Sequence, residues 1–517
     1  ASNCISPSIA SSGASSLATL VASLDRATVP PLPEPLVEYE SMATFGSLPK
    51  AFAVFAVSSH VLFAGTEIYY TSVNEDVVRP DKSDAFGANI VSNMYVNGKG
   101  IITFDFDITS IGEGAFMNCD KLKSVVIPES VTTMGDGVFA NCVALESVEL
   151  SPAMSKIGNG VFFNCKSLAS LTLPDRIVSI GAHAFEECSS LSAITLSKRL
   201  TVIGENAFKN CFNMRAITIP NTVSEIGDGA FQGCKNLNRL TVPERVTTLS
   251  PQVFDGCLGL SLIDLPSGIK VVGKQAFNGC RTLASVSLPS GVISIGEEAF
   301  AECASLMMVN IPDKVTTIEN GTFYGCMALS EISIPNGVIT IGEKAFAYCS
   351  ELSEITLPKS VNVIGNDVFS YCSNLKEVVI PEGVKTIGQN LFLNCSSLTS
   401  VTIPEGVESF GSMCFADCPN LSQIVFPESL TSIGPKAFYG CRNIEKITLH
   451  RNVANIGLMA FYGCLNLVDI GNMAKVPQQI EFDTFKKDDV SKSSDRDYTP
   501  NSIPIDMEYR GNYQNYP

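Results

Sequence analysis

The sequence contains no tryptophan and only three histidines among 517 residues, and the three lie far apart, at His60, His183 and His450. With so few imidazoles, no Cys–His pair or Ser–His–Asp set can be assembled, and no stretch has the ligand spacing of a metal site. We therefore predict that the protein is not an enzyme and has no catalytic residues, no cofactor and no metal site.

Basic residues are also scarce: 35 lysines and arginines face 52 aspartates and glutamates, a net charge of −17. A negative field of this size disfavours nucleic acids and anionic membrane surfaces. No run reaches the roughly 18 uncharged apolar residues of a membrane span, so we predict no membrane span. The longest apolar stretch, 51–65, contains Ser58, Ser59 and His60 and is interpreted as a core segment of an N-terminal cap.

What the sequence does contain is a strict repeat. Sixteen cysteines recur every 23 residues from Cys119 to Cys464 without an insertion, and each follows a phenylalanine by three positions. A fixed period of this length indicates a solenoid, in which each unit buries its apolar face against its neighbours.

Each repeat reads as two extended segments and a turn-rich half. Val125 and Ile127 alternate as in a strand, and Pro128 ends it because proline has no amide donor. A second short extended piece and a glycine follow. Val138, Phe139, Cys142 and Leu145 then have the spacing of one helical face, which predicts a short helix or 3₁₀ segment.

The 23-residue length, the L-x-x-I-x-I-P strand and the I-G-x-x-A-F-x-x-C half resemble the BspA-like, or Treponema-type, leucine-rich repeats over roughly residues 100 to 485. The resemblance implies an α/β repeat solenoid, right-handed and curved. Its parallel β-sheet would lie on one face and short helices or 3₁₀ turns on the other. It also implies a non-enzymatic role, since the family includes surface adhesins that bind host or matrix proteins.

The repeat divides the chain into three predicted parts. Residues 1–98 are a non-repeat segment and cap, 99–486 are the solenoid of 16 regular repeats, and 487–517 are a charged linker and tail. The tail is either a disordered end or an assembly segment that lies on another surface. Its candidate assembly residues are four tyrosines: Tyr498, Tyr509, Tyr513 and Tyr516.

The cysteine column is predicted to consist of buried free thiols, because side chains in one column point the same way and pairing would tilt alternate repeats. Cys4 and Cys414 lie outside the column and are the predicted disulfide partners.

The outward face of the sheet is the predicted binding surface. Residues five and seven positions after each cysteine flank an inward side chain and should therefore point outwards. Three consecutive glutamates in the first series are either solvated side chains or a site for a cation or a basic partner. The candidate binding residues are Arg239, Leu262, Met308, Glu331, Glu354 and Glu377.

Two features suggest an extracellular or cell-surface location. The chain begins at Ala1, as it would after removal of a signal peptide, and it has glycosylation acceptor motifs at Asn320, Asn394 and Asn420. The first hypothesis is an adhesion protein that binds a protein partner on its sheet. The second is a structural subunit that binds copies of itself through its termini, as a homo-oligomer, filament, sheath or array.

Overall fold

Each 23-residue repeat forms one turn of a parallel β-solenoid of about 16 turns in the computed structural model. The structure describes residues 65–473, 478–481 and 483–487. Equivalent residues of neighbouring repeats pair in register, as Leu171 does with Ile194. The predicted solenoid and its parallel sheet are therefore confirmed.

The first strand of each repeat contributes to what we call the main sheet. This segment is a β-strand in thirteen repeats and forms only isolated bridges in the others. Its strands are Leu122–Val126, Ser147–Glu149, Ser170–Thr172, Ala193–Thr195, Arg239–Thr241, Leu262–Asp264, Ser285–Val286, Met308–Val309, Glu377–Val379, Ser400–Thr402, Gln423–Ile424, Lys446–Leu449 and Asp469–Asn472.

The second extended segment forms a parallel ladder of two-residue strands, each with one inward aliphatic or aromatic residue. These strands are Ser110–Ile111, Thr133–Met134, Lys156–Ile157, Ser179–Ile180, Val202–Ile203, Glu225–Ile226, Thr248–Leu249, Val271–Val272, Ser294–Ile295, Thr317–Ile318, Thr340–Ile341, Val363–Ile364, Thr386–Ile387, Ser409–Phe410, Ser432–Ile433, Asn455–Ile456 and Gln479–Ile480.

On the third side of each repeat the predicted helices do not form, and the expected α/β class is therefore wrong. Within the described residues the only helical segment is a 3₁₀ turn at Val73–Glu75, outside the repeats. In the repeats, Phe139 donates its amide to the carbonyl of Val161 in the next repeat, at 2.8 Å. Gly137 and Asn141 have positive φ of 61° and 63°, which no helix contains. The segment is a series of tight turns that bond to the neighbouring repeat.

The interior consists of columns of identical side chains. The phenylalanine rings stack nearly parallel, as Phe185 does on Phe208 with centroids 5.3 Å apart. The column cysteines are buried free thiols, as predicted. Cys119 donates to the carbonyl of Arg79, and from Cys142 onwards each thiol donates to the carbonyl of the preceding repeat's phenylalanine, as the Cys142 Sγ does to Phe116 at 3.0 Å.

Cys414 is a buried free thiol as well, which corrects its predicted pairing with Cys4. It stands where neighbouring repeats have Leu391 and Ala437, and it fills that small apolar position. Cys4 lies outside the described residues.

The first repeat is covered by an antiparallel unit of three strands, β1 (Glu67–Ser72), β2 (Ile90–Val96) and β3 (Lys99–Phe104). β1 pairs with both β3 and Leu122–Val126. Although Ile102 and Phe104 match the repeat pattern, their strand is therefore separated from the first repeat by β1. The division of the chain at residues 98 and 486 stays a prediction.

The opposite end is less covered. Ile470 and Ile480 occupy interior positions of the repeat, yet they are 42% and 52% exposed, whereas their predecessors Ile447 and Ile456 are buried. Phe485 extends the ring column by stacking on Phe461 at 5.3 Å. The four tail tyrosines lie outside the described residues. In the described part of the chain, no helix is long and apolar enough to cross a membrane.

Candidate binding face

The binding face comprises the outward side chains of the main sheet, five and seven residues after each cysteine. Strand pleating places them there, because successive side chains point to opposite sides. At one typical repeat Ile263 is buried at 6% exposure, while Leu262 before it is 40% exposed. All six predicted residues of this face are exposed to solvent: Arg239, Leu262, Met308, Glu331, Glu354 and Glu377.

Arg239 is already engaged within the sheet. Its guanidinium lies 2.9 Å from the carboxylate of Asp264, on the neighbouring strand. This hydrogen bond lowers the pKa of Asp264 below its usual value. The pair is largely exposed, so it adds little to stability, but it occupies the Arg239 guanidinium and leaves it less available to a partner.

Leu262 and Met308 belong to a larger group of exposed apolar residues. Met308 is 60% exposed on a strand that pairs with Ser285, and Met307 beside it is 52% exposed. Met327 and Leu258, each one residue after a column cysteine, are 51% and 37% exposed. Sequence reasoning missed these last three, because only strand positions were considered. A signal was present only for Met307, whose position is polar in most other repeats.

The three glutamates follow immediately in the next repeats. Glu354 stands directly opposite Glu377 in a parallel bridge, and Ser333 bridges Thr356. Between Met308–Val309 and Glu377–Val379 the main sheet is reduced to these bridges, while the second ladder continues through Thr317–Ile318 and Thr340–Ile341. Among the residues that the structure describes, none of the three glutamates takes part in an ion pair.

Asp469 and Asp264, two other carboxylates of this face, form ion pairs across strands. Asp469 lies 2.8 Å from Lys446, and this hydrogen bond raises the pKa of the lysine. The Asp264–Arg239 pair has the same arrangement. Negative charge therefore accumulates at Glu331, Glu354 and Glu377, which we call the glutamate column. This column borders the exposed methionines.

His60 and the apolar stretch up to residue 64 lie outside the described residues, and the two described histidines are far apart in the chain. His183 Nδ1 contacts Glu186 at 2.5 Å on the turn side of the solenoid, and His450 lies in a distant repeat. Across residues 65–473 and the short described segments after them, no cluster of three or more potential ligands could hold a metal.

The three glycosylation motifs lie at different exposures. Asn320 and Asn420 are exposed, whereas Asn394 is half-buried at a left-handed turn position with φ of 59°. The Asn420 amide donates to the carbonyl of Ser396 at 2.8 Å. Their modification stays a prediction.

The comparisons with known proteins concern the repeats. The sequence model of the family described as "BspA type Leucine rich repeat region (6 copies)" matches residues 89–215, 155–284, 201–330, 270–398 and 362–492. No curated protein is significantly similar to the chain.

Several solved structures are similar. A leucine-rich repeat protein from Bacteroides ovatus is 28% identical, with a TM-score of 0.53, over 70% of this chain and 86% of that one. A leucine rich cell surface protein from Faecalibacterium prausnitzii is 23% identical, with a TM-score of 0.39, over 77% and 90%. The pneumococcal vaccine antigen PcpA is 19% identical, with a TM-score of 0.38, over 69% and 83%. Because the family model spans well over half of the sequence, this chain belongs to the BspA type leucine-rich repeat family.

Proposed function

We propose that the protein is a non-enzymatic, extracellular or cell-surface adhesion protein that binds another protein on the main sheet. The observation that carries the proposal is that exposed Leu262 and Met308 lie on the same sheet face as Glu331, Glu354 and Glu377, with Met308 one repeat from Glu331. Exposed apolar side chains rimmed by polar ones are typical of protein interaction sites. Membership in a family of repeat proteins that present such sheets supports the same function.

The experiment uses the full chain and a panel of purified extracellular matrix proteins on a biosensor surface. We expect at least one to bind, and we expect binding to be lost when Glu331, Glu354 and Glu377 are all replaced by lysine. A matched control replaces Glu382, Glu405 and Glu428, three exposed glutamates that also recur every 23 residues but follow the strands. Absence of binding across the panel, or equal loss in the control variant, would contradict the proposal.

A second candidate function is the structural subunit assembled through its termini. The observation that favours it is the exposure of Ile470 and Ile480 at interior positions, since exposed apolar residues in the last described repeat can stack on another copy. Light scattering at rising concentration tests this function: the full chain should grow in mass, and replacing both isoleucines by lysine should prevent that growth. A monomer at all concentrations would exclude it.

A further inference from the structure

Five exposed apolar residues lie within four consecutive repeats, on the main sheet or just before its strands; Val379 and Val425 are further exposed apolar residues of the sheet outside these repeats. We call Leu258, Leu262, Met307, Met308 and Met327 the apolar patch; each is between 37% and 60% exposed. Three of the five are methionines, whose flexible and polarizable side chains adapt to irregular partner surfaces. For these apolar side chains, contact with an apolar group of a partner is more favourable than contact with water.

The glutamate column begins in the repeat of Met327 and extends over the next two. Like charges directly opposite one another on adjacent strands are unfavourable by some tenths of a kcal/mol, and Glu354 and Glu377 have this arrangement. Cations brought by a partner would relieve the repulsion. The cross-strand pairs of Asp264 and Asp469 show how the same face satisfies carboxylates elsewhere.

The spacing of the strands sets the length of the partner segment that this region can contact. Met308 and Glu377 are three repeats apart, which corresponds to roughly 15 Å at about 4.8 Å per strand. An extended segment of about five residues spans this distance. Val379, two residues after Glu377, is 63% exposed and places another apolar side chain at the far end.

Building on the proposed function, we infer that the partner segment is basic and amphipathic: one of its apolar side chains contacts the apolar patch at Met307 and Met308, and adjacent lysines or arginines contact the glutamate column. The negative column disfavours an acidic segment at the same place, so charge would select the partner and the methionines would add contact area. Because the charged part of the contact is exposed, its contribution falls with ionic strength.

Fluorescence anisotropy with three labelled ten-residue peptides tests this inference on the full chain. One peptide combines lysines with leucines, a second replaces the leucines by serine, and a third replaces the lysines by glutamate. We expect the lysine–leucine peptide to bind about tenfold or more tightly than either of the others, a difference of about 1.4 kcal/mol. Its affinity should fall as salt is added.

Variants locate the contact. Glu331, Glu354 and Glu377 replaced together by glutamine should remove the preference for lysine, and Met307→Ser with Met308→Ser should remove the preference for leucine. The control triplet Glu382, Glu405 and Glu428 replaced by glutamine should change neither. Equal binding of the glutamate peptide, or an equal loss in the control, would overturn the inference. If a matrix protein nevertheless binds and is lost on charge reversal, the proposed function stands and only the partner's chemistry is wrong.

Discussion

At the scale of single residues, repulsion within the glutamate column lowers the stability of the fold slightly. Glu354 and Glu377 are exposed and opposite each other, and the main sheet is reduced to isolated bridges where the column lies. Nothing in the packing of the interior requires the charges, because Ile355 and Val378 beside them are buried as in other repeats. Removing one charge should therefore change the electrostatics without disturbing the core.

We predict that Glu354→Gln raises the free energy of unfolding by a few tenths of a kcal/mol at low salt, since it removes a like-charge cross-strand pair. In about 1 M salt, where the screening length falls to about 3 Å, the gain should disappear. Urea denaturation followed by circular dichroism measures both values. Glu225→Gln is the control, since exposed Glu225 stands opposite Val202 and not another carboxylate; an equal gain there, or a gain independent of salt, would contradict this explanation.

At the scale of the element, the turn segment depends on two positions with positive φ in every repeat, which lie five residues and one residue before each column cysteine. No β-branched residue occupies either position in any of the sixteen repeats. Gly279, with φ of 69°, is one example, and a Cβ atom there would be 3.7 Å from the backbone of Gly256, an ordinary contact. The restriction at this position is therefore conformational and not a lack of space.

We expect Gly279→Val to lower the free energy of unfolding by about 1–3 kcal/mol, because a β-branched residue is strained in the left-handed region. Gly279→Asn should cost much less, since asparagine is well tolerated there and Asn141 and Asn164 occupy the same position in other repeats. Chemical denaturation of both variants provides the comparison. Equal destabilisation by the two substitutions would show that space, not φ, is limiting.

The turn segment also explains which parts of the fold the sequence can and cannot predict. Strands and core columns follow from alternation and the 23-residue period, as Val125 and Phe116 illustrate. The spacing of Val138, Phe139 and Cys142 fits both a helix and a series of turns. The positions of apolar residues do not reveal whether an amide bonds within its own segment or to the next repeat. The absence of β-branched residues at the positive-φ positions was the discriminating signal.

The candidate site divides in the same way. Leu262, Met308 and the glutamates could be predicted because the strand pleat decides their direction. Met327 and Leu258 could not, since they lie in a turn before the strand, where no simple periodicity assigns a side chain to a face. Their exposure depends on the path of the backbone between the cysteine and the strand.

At the scale of the whole molecule, the thiol column links stability to alkaline pH. Burial raises the pKa of Cys188, Cys234, Cys303 and Cys372 to about 12 each. In the unfolded chain a thiol titrates near about 8.5. Above that value the unfolded state loses protons that the folded state retains, so stability is complete below about pH 8.5 and falls as pH rises towards 12.

We predict that the free energy of unfolding, measured by urea denaturation with a reductant present, decreases steeply between about pH 8.5 and 10, by up to about 1.4 kcal/mol per pH unit for each thiol that is exposed on unfolding. Replacing Cys188, Cys234 and Cys303 by alanine should make this decrease shallower, although it also lowers stability at neutral pH. The same slope in the triple variant and the parent chain would show that other groups cause the alkaline loss.

The invariant 23-residue period also bears on how the molecule can change in length. Since every interior column is made of equivalent residues, such as Phe185 and Phe208, excision of one complete unit joins surfaces that already match. Recombination between copies would then shift the methionines and glutamates relative to the ends by a whole number of steps of about 5 Å, without redesigning the interior. The number of repeats on either side of the methionines and glutamates therefore sets their distance from each end of the solenoid.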